Sequence, residues 1–125
     1  MSKGYAAEAL FDYLATDKGF TVSRPLAHAR YDRIIDHNGK LSRVQIKMTS
    51  NSRGAGKKSY WVQTSGGNRS LYTDSVDFFA IYIKPECAWF IIPIADITGA
   101  AIHLTMTGKH TKYINNWNQL YAEKN

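Results

Sequence analysis

An aspartate at position 32, a glutamine at 45 and a lysine at 47 are the residues of this chain whose types and spacing best suit chemistry on a phosphate. Asn38-Gly39 lies between two β-rich runs, ARYDRIID and LSRVQIKM, and predicts a hairpin with a two-residue turn. Counting outward from that turn, His37 opposes Lys40, Asp36 opposes Leu41, Ile34 opposes Arg43 and Asp32 opposes Gln45. Opposed residues share a face, with β-carbons about 4.5–5.5 Å apart, and Lys47 joins them by period-two alternation. Val44, Ile46 and Met48 point the other way, as core. A carboxylate and an amide oxygen so placed can share a small hard cation such as Mg2+, which takes oxygen ligands and keeps several waters. A lysine beside them supplies positive charge to a phosphate oxygen or an attacking water. Glu8, at the edge of a helix's apolar face, is a candidate for a further acidic contribution. On the residues alone a plainer reading competes: Asp32 paired with Arg30 or Lys47 on an exposed sheet face, and Gln45 an ordinary strand residue.

The elements that must position these groups are legible in outline. Gly4 to Lys18 reads as a helix, with Ala7, Leu10, Phe11 and Leu14 on its apolar face and Gly19 as its stop. FTVSRP is a short strand ended by Pro25. Residues 49–58 form a polar loop, and SYWVQTS reads as a third strand of the same sheet, followed by a second loop, GGNRSLYTDS. VDFFAIYIK and AWFIIPI are near-continuous apolar runs, read as buried strands joined by a turn at Pro85-Glu86. The stretch from Thr98 to Gly108 is ambiguous. KYINNWNQLYAEK reads as a closing helix with Ile114, Trp117, Leu120 and Tyr121 on one face. The order predicts an α/β fold, a central mixed and mostly antiparallel sheet flanked by helices, with residues 1–125 as a single domain.

The chain has 125 residues, enough for one core, and 44% of them are hydrophobic, which argues against disorder. Its formal charge of +6 and pI of about 9.5 suit a polyanionic partner, most often nucleic acid. Cys87 is the only cysteine, which excludes a disulfide framework or a cysteine zinc site within one chain. No apolar run approaches the roughly 20 residues that cross a bilayer. The opening stretch MSKGYAAEALFDYL carries acids and no cleavage-site pattern, unlike a signal peptide. No membrane partner and a cytoplasmic setting are expected.

A helix glutamate, then YD on one strand, then RVQIK on the next resembles the PD-(D/E)XK nuclease superfamily, and within it the branch with glutamine opening the final motif. The likeness extends through GYAAEALFDYL, YDRIID, RVQIKMTS, YTDSVDFFAIY, AWFIIPI and INNWNQL, most of the chain. It implies a restriction-endonuclease-like core and a Mg2+-dependent DNA endonuclease, with Mn2+ as an alternative ion, of a homing or restriction type. The source it implies is bacterial, phage or intron-encoded. Position by position it implies Glu8, Asp32, Gln45 and Lys47 as the active site, with the metal on Asp32, Gln45, Glu8 and the Ile46 carbonyl. Most of the superfamily places an acid where Gln45 stands. A neutral amide oxygen binds a cation less tightly, which leaves either a working variant site or a catalytically inactive DNA-binding module. A Holliday-junction resolvase-like nuclease is a further alternative, and a structural interaction domain with incidental charge is the blandest.

Arg53, Lys57 and Lys58 follow the catalytic strand and are expected on DNA phosphates, together with Arg69, Lys109 and Lys112, and His110 beside them. SYWVQTSGGNRS is a candidate hairpin arm carrying Gln63, Thr64, Asn68 and Arg69 to the bases. Cutting both strands of a duplex needs paired sites, so a homodimer or homotetramer is expected. Trp117 and Tyr121 supply either that interface or core. GAGKKS is not a phosphate-binding loop, because the required glycine and hydroxyl positions are missing. The four histidines lack metal-ligand spacing.

Overall fold

The computed structural model describes residues 3–50, 52–53, 59–65 and 74–123. The first helix, α1, runs from Lys3 to Asp17. It is rich in alanine, the strongest helix former, and Ala7, Phe11 and Ala15 recur every fourth position as its buried stripe. Leu10 and Leu14 flank that stripe, half-buried. Gly19 ends the helix in the left-handed region, φ 91°. There the Phe20 N–H donates to the Ala15 carbonyl at 3.1 Å and the Gly19 N–H to Thr16 at 3.0 Å. This paired closure caps carbonyls that the helix leaves open. A β-carbon on Gly19 would meet nothing within 4 Å, so only backbone strain opposes a side chain there. Gly19→Ala is expected to cost about 1–2 kcal/mol, read as a lower urea midpoint at unchanged slope.

Strands β1 (Thr21–Ser23), β2 (Arg33–His37), β3 (Lys40–Thr49), β6 (Phe78–Ile83) and β7 (Ala88–Pro93) make a five-stranded sheet in the order β1-β2-β3-β6-β7. All its pairs are antiparallel except β3 with β6, which is parallel. The β2–β3 turn has positive φ at both Asn38 (51°) and Gly39 (89°), the backbone that suits a tight hairpin to strand twist. The register is as expected, with His37 opposite Lys40 and Ile34 opposite Arg43.

Each face of this sheet has its own core. On one face Val44, Ile46, Ile35, Ala80, Trp89 and Ile91 pack under α1. On the other, Phe79, Ile81, Ile83, Phe90 and Ile92 pack against a second sheet. That sheet is β4 (Ser52–Arg53), β5 (Ser59–Gln63) and β8 (Ala101–Leu104), ordered β4-β5-β8. Burial on both faces explains the unbroken apolar runs of β6 and β7.

Two expectations are corrected. The SYWVQTS strand does not join the main sheet: β5 pairs with β8, Tyr60 opposite Leu104 and Val62 opposite Ile102. The ambiguous stretch after Thr98 supplies that partner strand. Nor is there a closing helix, and among the described residues α1 is the sole α-helix. Thr111–Tyr113 and Trp117–Leu120 are short 3-10 turns. Asn115, at φ 51°, instead donates its N–H to the Trp89 carbonyl at 2.6 Å and accepts the Trp89 N–H on Oδ1 at 2.9 Å. Gln119 Nε2 reaches the Ile91 carbonyl at 2.8 Å. The segment therefore satisfies the open edge of β7, whose backbone groups need partners. Trp117 belongs to the α1-side core and half-buried Tyr121 packs against it, as the core reading of the two expects.

Candidate active site

The strand that carries the candidate residues, β3, lies in the middle of the sheet. Val44 and Ile46 are buried toward α1, so Gln45 and Lys47 project from the opposite face. There they are level with Phe79 and Ile81 of β6, and both are half-buried. Lys47 forms no ion pair among the described residues, so its charge is not cancelled by them.

Asp32 sits where β2 leaves the ladder. The last strand pair is Arg33 with Val44. Instead of continuing to oppose Gln45, Asp32 donates its N–H to the Val44 carbonyl at 2.9 Å, and its carboxylate Oδ2 accepts the Ile46 N–H at 2.8 Å. The carboxylate thus sits against the peptide joining Gln45 to Ile46. The Ile46 carbonyl faces the same side as its N–H, toward the gap that β2 leaves open.

Glu8 approaches from the other face. It lies on α1, and its Oε1 is taken by Arg33 Nη1 at 3.1 Å. The same nitrogen donates to the Asp32 carbonyl at 2.7 Å. Arg33 Nε and Nη2 grip the two carboxylate oxygens of Asp12 at 2.7 and 3.0 Å. The side chain of Arg33 is 7% exposed, and the Asp12 bonds, against the cost of burial, raise its pKa further. Sequence reasoning missed Arg33 and Asp12. The signal was present: alternation puts Arg33 on the core face, opposite Asp32, and a buried cation there needs acids, which Glu8 and Asp12 supply one helical turn apart.

A second clamp fixes how β3 meets β6. The Asp77 carboxylate accepts the Arg43 backbone N–H at 2.7 Å and its guanidinium at 3.3 Å. The Asp77 N–H returns to the Arg43 carbonyl at 2.8 Å. Burial pushes the Asp77 carboxyl up, but the Arg43 bonds outweigh it and hold the pKa below the usual carboxylate value. A depressed folded-state pKa contributes stability that is present above the unfolded value and lost as pH falls through the folded one. Asp77→Asn is expected to flatten the acid limb of the stability curve below about pH 4, measured by urea unfolding at stepped pH.

The remaining candidates divide. Lys57, Lys58 and Arg69 lie outside the described residues, as do Asn68 and the side chain of Arg53. Thr64 is corrected as a base reader: it is 1% exposed, with its hydroxyl on the Gly99 carbonyl at 2.8 Å. Gln63 is exposed at the end of β5. Lys109, Lys112 and His110 are brought together around a cavity of about 500 Å3 that also contains His103 and Tyr113. Burial, and then Lys109, lowers the His110 pKa.

A cation at the open end of β2 would meet oxygen donors: the Asp32 carboxylate beside the Ile46 N–H, the Ile46 carbonyl, and the amide oxygen that Gln45 brings on the same strand. Among the described residues no three His, Cys, Asp or Glu side chains gather as a metal cluster. Such a set does not suit zinc or iron, and fits a hard divalent ion that fills its shell with water and phosphate oxygens.

A mixed sheet with a parallel central pair, one helix on its face and an acid at a strand end is the architecture of the restriction-endonuclease-like nucleases. The chain belongs to the PD-(D/E)XK endonuclease family, whose profile matches residues 2–122. Protein 5.3 of Escherichia phage T7 is 30% identical over 89 residues, 70% of this chain and 75% of that protein. The bacterial homing endonuclease I-Ssp6803I superposes with a TM-score of 0.79 and 25% identity, over 94% of this chain and 89% of that one. Hjc, a Holliday junction resolvase from the hyperthermophile Archaeoglobus fulgidus, shares the fold at a TM-score of 0.56 and 14% identity, over 83% of this chain and 84% of that one. No helix among the described residues is long and apolar enough to cross a membrane.

Proposed function

We propose that this protein is a Mg2+-dependent DNA endonuclease that hydrolyses phosphodiester bonds, a double-strand cutter of the homing or restriction type acting as a homo-oligomer. The observation that carries the reading is the Asp32 carboxylate seated on the Ile46 N–H, beside Gln45 and Lys47 on β3. Asp32, the Gln45 side-chain oxygen and the Ile46 carbonyl would hold Mg2+ (or Mn2+), and Glu8 would support them from the α1 side, where its Oε1 accepts from Arg33 Nη1. When bound, the ion supplies Lewis acidity to the scissile phosphate and lowers the pKa of a water.

The protein's own residues do the rest. The Ile46 N–H holds one Asp32 oxygen, and the other would serve the ion. Gln45 adds an oxygen without adding charge, so the site relies on Asp32 for negative charge on this face. Lys47 offsets the charge that builds on the phosphate oxygens as the water attacks. Lys109 and Lys112 offer backbone contacts away from the chemistry, which makes affinity fall with salt.

The test is a substrate panel in Mg2+: linear duplex, supercoiled plasmid and a four-way junction, with the ends mapped. Paired cuts at one duplex site are expected. Cutting confined to the junction would transfer the protein to the resolvase-like class, and DNA binding with no cutting in Mg2+ or Mn2+ would leave only a binding module.

A further inference from the structure

We propose that Arg33 is a positioning residue of the nuclease site, and that Glu8 and Asp12 act on the site through it. The inference rests on the nuclease reading and deepens the role of Glu8 in it. Asp32 leaves the β2 ladder, so its place is not set by strand pairing. Three bonds set it instead: its N–H to Val44, its carboxylate to Ile46 and its carbonyl to Arg33. The third ties the site to α1.

Arg33 can serve as that tie because its fork is held from behind. Both Asp12 oxygens bind it, and Asp12 follows Phe11, the buried anchor of α1. A guanidinium held in two places presents its remaining nitrogen in one direction. A lysine has the charge but no fork, and cannot hold Asp12, Glu8 and the Asp32 carbonyl together. Glu8 gives its oxygen to the nitrogen that also holds Asp32. Its charge is therefore matched by Arg33, and its effect on the ion passes through the orientation of Asp32. Asp12 makes the sharper case: it is one turn further along α1, no motif marks it, and it nonetheless holds the most bonds to Arg33.

The experiment uses Arg33→Lys, Asp12→Asn, Glu8→Gln and the Arg33→Lys/Glu8→Gln pair. Two readouts are taken: Mn2+ affinity of the DNA-free protein by calorimetry, and single-turnover cleavage across a Mg2+ titration. Urea unfolding at the assay temperature confirms that each variant is folded. Asp12→Asn and Arg33→Lys are each expected to lower Mn2+ affinity or cleavage by about 10–100-fold, as groups that orient metal ligands do. Adding Glu8→Gln to Arg33→Lys is expected to cost little more, because both act through one contact. Wild-type Mn2+ affinity and rate in Asp12→Asn would overturn the inference, as would full multiplication of the two single losses in the pair, the mark of a separate Glu8 ligand. Asp12→Asn, at a half-exposed position, keeps the test open if Arg33→Lys does not fold. Wild-type protein that neither binds Mn2+ nor cuts DNA would remove the nuclease reading and this inference with it. A wild type that cuts while Asp12→Asn is unimpaired would remove this inference alone.

Discussion

Lys47→Ala is expected to lower single-turnover cleavage in Mg2+ by about 10²–10³-fold, the usual cost of removing one preorganised charge from a transition state. Its position supports so large an effect. Lys47 is half-buried in the central strand of the sheet, two residues from Gln45 on the same face, and no described residue pairs with it. Its backbone is held on the β6 side opposite Ile81, so alanine removes the ammonium without releasing the strand. Duplex affinity is expected to stay near wild type, because the proposed phosphate contacts are assigned to other lysines and arginines. The measurement is cleavage at saturating protein alongside a binding isotherm in Ca2+. Equal loss of binding and cutting would instead make Lys47 a simple docking charge.

The largest effect on stability is expected at Phe11. It is fully buried, with its ring 5.6 Å from Trp89 and 5.3 Å from Trp117, centroid to centroid. Phe11→Ala removes a large ring from a site walled by two others and is expected to cost about 3–5 kcal/mol, seen in urea unfolding. Leu41→Ala, 61% exposed, is the matched control and is expected to change stability by less than about 0.5 kcal/mol. Because Phe11 adjoins Asp12, the folded fraction of Phe11→Ala is also expected to cut poorly. A cost near that of Leu41→Ala would mean that α1 is not anchored there.

Much of this was readable beforehand, for reasons tied to particular residues. Asn38-Gly39 admits few turns other than the one with positive φ at both positions, and so it fixed which residues of β2 and β3 oppose one another. Alternation along β3 separated Val44 and Ile46 from Gln45 and Lys47 because one face of that strand is dry. Gly19 marked the end of α1. The failures are equally specific. Tyr60 and Val62 alternate in the same way whether β5 joins one sheet or the other, and only its pairing with β8 decides. Ile114, Trp117, Leu120 and Tyr121 recur at helical spacing, yet Asn115 and Gln119 spend their polar groups on the edge of β7. Counting from the turn carried Asp32 one pair too far, since its carboxylate takes the Ile46 N–H in place of a strand bond. The same count did not show that α1, with Glu8, covers the face opposite Gln45 and Lys47. At the end of β2, Arg33 joins Glu8 on the α1 side to the Asp32 carbonyl.

The most direct measurement sets wild-type protein against Asp32→Asn on plasmid DNA, in Mg2+ and in EDTA, with cut ends mapped. Asparagine keeps an oxygen for the Ile46 N–H, so folding and DNA binding are expected to survive while the charge is lost. The account predicts Mg2+-dependent cuts from the wild type and a loss of about 10²-fold or more in the variant. Cleavage by Asp32→Asn at the wild-type rate, with the same ends, would contradict it.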